Sequence, residues 1–165
     1  MRFHRTFAVP CTLLASLFSS LTHVQYAPAQ NKKNPYACTL ADPSAACTAN
    51  TTCGSASEPC SVDVKRTSNA ASATPSIPGA KGNSTFCVKA GTTMIWKSDT
   101  KHQGFIVDMG PASPFNTSDI IGGSDKSVTV KANTPGCYRF SAGACLSGAI
   151  YGMCGNGTAQ LVVVK

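Results

Sequence analysis

Residues 61–65, Ser61-Val62-Asp63-Val64-Lys65, carry an apolar side chain at every second position, which is the period of a strand with one buried face. Short apolar runs recur at 86–88, 94–96, 105–107, 128–130, 138–140 and 161–164, separated by Gly, Pro, Asn, Asp and Ser. Each reads as a strand bounded by turn residues. Residues 67–82 are rich in Ser, Ala, Pro and Gly and read as a long loop. No stretch sustains the 3.6-residue spacing of an amphipathic helix, so seven short strands predict an all-β antiparallel sandwich or barrel. No internal repeat is visible.

The two ends depart from this pattern. Arg2 and Arg5 precede a largely apolar stretch at 7–21, then Ala27-Pro28-Ala29 and Gln30; a basic start, an apolar middle and a small-x-small site predict a signal peptide over 1–29. Cys11 falls inside its apolar part, a poor acylation context. No later stretch approaches the roughly 20 apolar residues of a membrane-spanning helix. Residues 30–59 are Ala-, Thr- and Asn-rich with few large apolar side chains, yet hold three cysteines, with Cys60 just beyond. That composition predicts a Cys-rich arm ordered by cross-links, beside a single domain over 60–165.

Cysteine usage sets the compartment. Cys38, Cys47, Cys53, Cys60, Cys87, Cys137, Cys145 and Cys154 remain after the signal. An even set in an exported chain predicts four disulfides in a secreted or periplasmic protein, without fixing which cysteines pair. Structural zinc is the rival, weakened by the absence of any Cys-x-x-Cys and by a single histidine, His102, beyond the signal. The formal charge of +7 falls to +5 once Arg2 and Arg5 are removed, and the other basic residues are scattered. No basic stripe interleaved with aromatics suggests nucleic-acid binding. Asn-x-Ser/Thr sequons at Asn50, Asn83, Asn116 and Asn156 all fall in expected loops.

Residues 86–99, Phe-Cys-Val-Lys-Ala-Gly-Thr-Thr-Met-Ile-Trp-Lys-Ser-Asp, together with Pro135-Gly136-Cys137-Tyr138-Arg139-Phe140 and Gly152-Met153 before Leu161-Val162-Val163-Val164, resemble motifs of the cupredoxins, the small blue copper proteins of plastocyanin and phytocyanin type. The resemblance covers about residues 60–165. It implies a Greek-key β-sandwich or barrel, with an immunoglobulin-like sandwich as the alternative fold. A type-1 site needs two histidine nitrogens and a cysteine thiolate, usually with an axial methionine. Here the departures are large. Ala142 stands where the family places the thiolate and Cys145 where a histidine often follows; no histidine occurs after His102, and the best match puts Gln103 at the first ligand position. Any copper would therefore have to use His102, Cys145 and Met153. Cys145 and Cys154 bracket the loop that would hold it, and a bond between them would use both sulfurs. Cys87 and Cys137, on expected strands, are candidates to pair across the sheets.

Catalytic options are thin, with one histidine and one glutamate, Glu58, beyond the signal. Asp99, Asp108, Asp119 and Asp125 read as solvated turn residues. Gly152-x-x-Gly155-x-Gly157 precedes a strand rather than opening a helix, unlike a phosphate-binding loop. The expectation is a non-enzymatic module without cofactor that binds an extracytoplasmic protein or polymer through a loop end built from 101–103, 111–116 and 142–151, where Phe115, Leu146, Ile150 and Tyr151 supply apolar groups. The alternative is a copper-binding, electron-transfer protein with an unusual site. A secreted enzyme inhibitor is a third reading.

Overall fold

A computed structural model of the chain describes residues 34–55, 57–146 and 154–165. The expected signal segment lies outside them, as do Met153, Ile150 and Tyr151.

The described residues are all-β: β1 (Cys60–Thr67), β2 (Ala70–Pro75), β3 (Phe86–Lys89), β4 (Thr93–Lys97), β5 (Gln103–Asp108), β6 (Asp119–Gly123), β7 (Val128–Lys131), β8 (Gly136–Leu146) and β9 (Cys154–Val164). They form one sheet in the order β6-β5-β8-β9-β2-β1-β4-β7, with β3 added on β9. The end strands β6 and β7 touch without a ladder, so the sheet curls into a nearly closed barrel. Five pairings are antiparallel; β1 with β4, β2 with β9 and β3 with β9 are parallel. The expectation of a purely antiparallel sheet is corrected to that extent, since long connections return the chain alongside earlier strands in the same direction.

Alternation decides which side chains enter the barrel. Val62 and Val64 of β1, Met94 and Trp96 of β4, Phe105 and Val107 of β5 and Leu161 and Val163 of β9 are buried together. Trp96 sits between rings, edge-on to Phe140 at 5.5 Å and to Phe115 at 6.4 Å. Such contacts favour a fixed aromatic centre.

Two strands escape the apolar pattern. Strand β2 lies inside the segment expected to be a loop; Ala70-Ala71-Ser72-Ala73 carries no large side chain, yet it pairs with β1 from Thr67↔Ala70 to Val62↔Pro75. Small residues are required there. A Cβ on Gly155 would come within 2.0 Å of the Ala70 carbonyl oxygen, and one on Gly157 within 2.0 Å of that of Ala71. The glycine series therefore serves close backbone approach between β9 and β2. Strand β6, Asp-Ile-Ile-Gly-Gly, was hidden by its two glycines and is fixed by its ladder with β5.

The arm lies on the outer face of β3, β9 and β8. Cys38 is bonded to Cys137 and Cys47 to Cys87, while Cys53 is bonded to Cys60 and Cys145 to Cys154. The candidate Cys87–Cys137 bond is thus corrected. Both residues stand opposite Val162, on β3 and β8 respectively, which separates them by two strand spacings, roughly 9–10 Å, beyond disulfide reach. Each instead bonds the arm above. Thr51 and Cys53 pair with the free edge of β3 through Cys87, Thr39 donates its N–H and hydroxyl to the Gln160 side chain, and the Tyr36 hydroxyl donates to Asp108. Val162, pointing out of the barrel, is only 3% exposed as a result.

Candidate functional site

The end of the barrel that holds Gln103 is the first candidate. Strand β4 pairs with β1 only as far as Asp63↔Lys97; the chain then turns away through 98–102, leaving the edge of β1 at Val64 and Arg66 without a partner strand. Gln103, the first residue of β5, fills that gap with its side chain. Its Oε1 accepts the Arg66 backbone N–H at 2.9 Å, and its Nε2 donates to the Val64 carbonyl at 2.8 Å and to Ser98 Oγ at 2.6 Å. The amide is 2% exposed and replaces a missing strand. Buried polar groups need such pairing, because an orphaned backbone group costs about 1–3 kcal/mol.

His102 stands one position earlier, exposed in the turn, with φ of 57°. His102 is exposed in the turn, whereas Gln103, the first residue of β5, is buried. Leu146 is the cross-strand partner of Gln103 and is half-buried at the mouth. Cys145 and Cys154 stand directly opposite each other and are bonded, with Cα atoms 4.2 Å apart. The candidate bond across this hairpin is present, and neither sulfur is a thiolate in this state. Among the described residues, no group of three His, Cys, Asp or Glu side chains is placed to hold a metal ion.

The loop end anticipated from the sequence divides in two. Gln103 and Leu146 meet, but 111–116 follows the far end of β5 and lies at the opposite pole. Phe115 is 6% exposed and packs on Trp96. It is a core residue closing that pole, not part of the binding surface; an aromatic ring in a turn-rich segment carries no sign of which way it points.

Two clefts flank the Gln103 mouth. One, of about 300 Å³, is lined by Arg66, Ser68, Thr100, Gln103 and Leu146. The other, of about 330 Å³, runs past His102, Gly104, Ile121, Ser124, Asp125 and Lys126. Beside the second, Ile106 and Ile121 are cross-strand partners, 42% and 63% exposed. Sequence reading passed over this pair, although the inward phase of Gln103, Phe105 and Val107 places Ile106 outside.

The carboxylates are dispersed among local partners. Asp99 pairs with Lys97 at 2.9 Å, Asp108 accepts from Tyr36 and from the Gly110 N–H, Asp119 accepts from Ser118, and Asp125 receives a long contact from Ser124. Of the sequons, Asn50, Asn116 and Asn156 are exposed, the last on β9 rather than in a loop. Asn83 differs: its amide bridges Ala73 N–H and Ala71 C=O along β2.

No family model matches this chain, and no curated protein matches it.

Proposed function

We propose that the chain is a non-catalytic, exported cupredoxin-like module that has given up type-1 copper and binds an extracytoplasmic partner through the Gln103 mouth of its barrel. The observation that carries this reading is the side chain of Gln103. At the position matched to the first copper ligand stands an amide whose oxygen and nitrogen are both engaged with β1 and Ser98. A ligand imidazole must keep one nitrogen free for the metal, whereas this group is committed to holding two strands together.

The sulfur chemistry supports the same reading. Cys145 is consumed in the bond to Cys154, and a disulfide sulfur is no substitute for the thiolate that soft copper sites use. Four disulfides fit an oxidising compartment outside the cytoplasm. Among the described residues no helix is long and apolar enough to cross a membrane. What remains at the mouth is a rigid rim of strand ends with two clefts, the kind of surface on which binding is built.

The test is a copper titration of the oxidised protein, with bound metal, visible absorbance and free thiols measured on one sample. The expected result is no stoichiometric copper, no blue band and no free thiol among the eight cysteines. Stoichiometric copper with a thiol would overturn the proposal and favour electron transfer through His102, Cys145 and Met153.

A further inference from the structure

On the outer face of the barrel the register sets Asn156 of β9 opposite Gly143, Gly143 opposite Ile106, and Ile106 opposite Ile121. The two isoleucines are the exposed large apolar side chains among the described residues. Side by side, they differ from the singly scattered apolar groups that any surface shows. Asn156 opens Asn156-Gly157-Thr158, an acceptor sequence for N-linked sugar. Side chains two apart on a strand share a face; Asn156 and Thr158 are both exposed, while Ala159 and Leu161 are buried. Gly143 puts no side chain between the asparagine and the isoleucines. A Cβ there would lie 3.2 Å from both Asn156 Oδ1 and Ile106 Cγ2, so the Asn156 carboxamide reaches over β8 to the edge of the apolar pair. Asn83 has the opposite setting. Its Oδ1 accepts the Ala73 N–H and its Nδ2 donates to the Ala71 carbonyl, both at 3.0 Å, and that nitrogen would be 2.7 Å from a Cβ on Gly157. A sugar on Asn83 would run into β9.

We infer that Asn156 is an N-glycosylation site whose glycan lies across Gly143 and covers the Ile106–Ile121 pair. The sugar donor is a lipid-diphosphate-linked oligosaccharide, used by an oligosaccharyltransferase of the export pathway. A bond forms between Asn156 Nδ2 and the anomeric carbon of the first sugar, the bond from that carbon to the diphosphate oxygen breaks, and the amide proton leaves with the lipid diphosphate. Transfer precedes folding, because the folded backbone at Asn156 is held between β8 and β2. The product still fits the fold, since the side chain points out of the barrel. The C–H face of a sugar ring packs on aliphatic side chains and takes their surface from water, while the hydroxyls stay solvated. The inference is independent of the partner reading, because Ile106 is on the opposite face of β5 from Gln103 and the covered row lies outside the mouth.

The test uses the exported, oxidised protein from cells whose export pathway carries an oligosaccharyltransferase. Peptide-N-glycosidase in heavy-oxygen water leaves a labelled aspartate at each asparagine that carried sugar, and peptide mass spectrometry reads the sites. Asn156 is expected to be labelled in most molecules and Asn83 in none. Hydroxyl-radical footprinting then compares the intact glycoprotein, the enzymatically deglycosylated protein and Thr158→Ala, which keeps Asn156 but ends the acceptor sequence. Oxidation of Ile106 and Ile121 is expected to rise severalfold when this glycan is lost by either route, while the half-buried Ile77 stays constant. If Thr158→Ala is not exported, the deglycosylated protein decides the same comparison. Exported protein without label at Asn156 overturns the site, whatever Asn50 and Asn116 carry. Label at Asn83 in folded protein overturns the sorting of sequons by geometry, and a labelled Asn156 with unchanged isoleucine oxidation overturns the cover.

Discussion

Gln103 shows how a single buried side chain can take the place of a missing stretch of strand. The amide stands in for the strand that β4 ceases to be after Lys97, and it does so with donor and acceptor at once. Replacing it with leucine keeps the volume but orphans the Arg66 N–H and the Val64 carbonyl. Gln103→Leu is therefore expected to lower unfolding free energy by about 1–3 kcal/mol for each orphaned group that water cannot reach, read from urea denaturation followed by Trp96 fluorescence. A loss below about 0.5 kcal/mol, the range of an ordinary surface change, would mean that the amide has no structural role.

Among the elements, the arm depends most on its covalent bonds. Residues 34–55 contribute few large apolar side chains, and their order comes from two bonds to the sheet, a backbone bridge to β3, and polar contacts of Tyr36 and Thr39. Tyr36 also lies flat on Gly110, where a Cβ would come within 2.5 Å of the ring. The Cys38–Cys137 bond closes a separation of 99 residues and Cys53–Cys60 one of 7. In the chain-entropy model these correspond to about 4.7 and about 2.4 kcal/mol. Removing the first pair as Cys38→Ser with Cys137→Ser should thus lower the denaturation midpoint more than removing the second, and should open 34–46 to protease while β5 to β8 stay protected. Equal protection of 34–46 in the variant would show that the polar contacts suffice to hold the arm.

For the molecule as a whole, two tyrosines tie stability to pH at the alkaline end. The hydrogen bond to Asp108, with burial and the charges of Asp108 and Asp119 adding to it, raises the Tyr36 phenol above its ordinary value of 10.0, and burial raises Tyr138 in the same direction. A phenol with a raised folded-state value contributes stability that is complete below its unfolded value and is lost as pH rises through the folded one. Stability should accordingly stay level, as far as these groups govern it, up to about pH 10 and decline above it. Denaturation midpoints measured across that range check this, with Tyr36→Phe removing part of the decline. A decline unchanged in Tyr36→Phe would show that the arm contact plays no part in it.

The sequence by itself determined the all-β class, the cores of seven strands and the disulfide content, because these follow from local alternation, turn residues and cysteine parity; of its two candidate pairings the structure has Cys145–Cys154 and not Cys87–Cys137. Only the tertiary structure decided the rest. Strands β2 and β6 exist because neighbours pair with them, despite small residues and glycines that carry little strand preference. Cys87 and Cys137 were kept apart by Val162 between them, and Phe115 was turned into the core by the path of its loop.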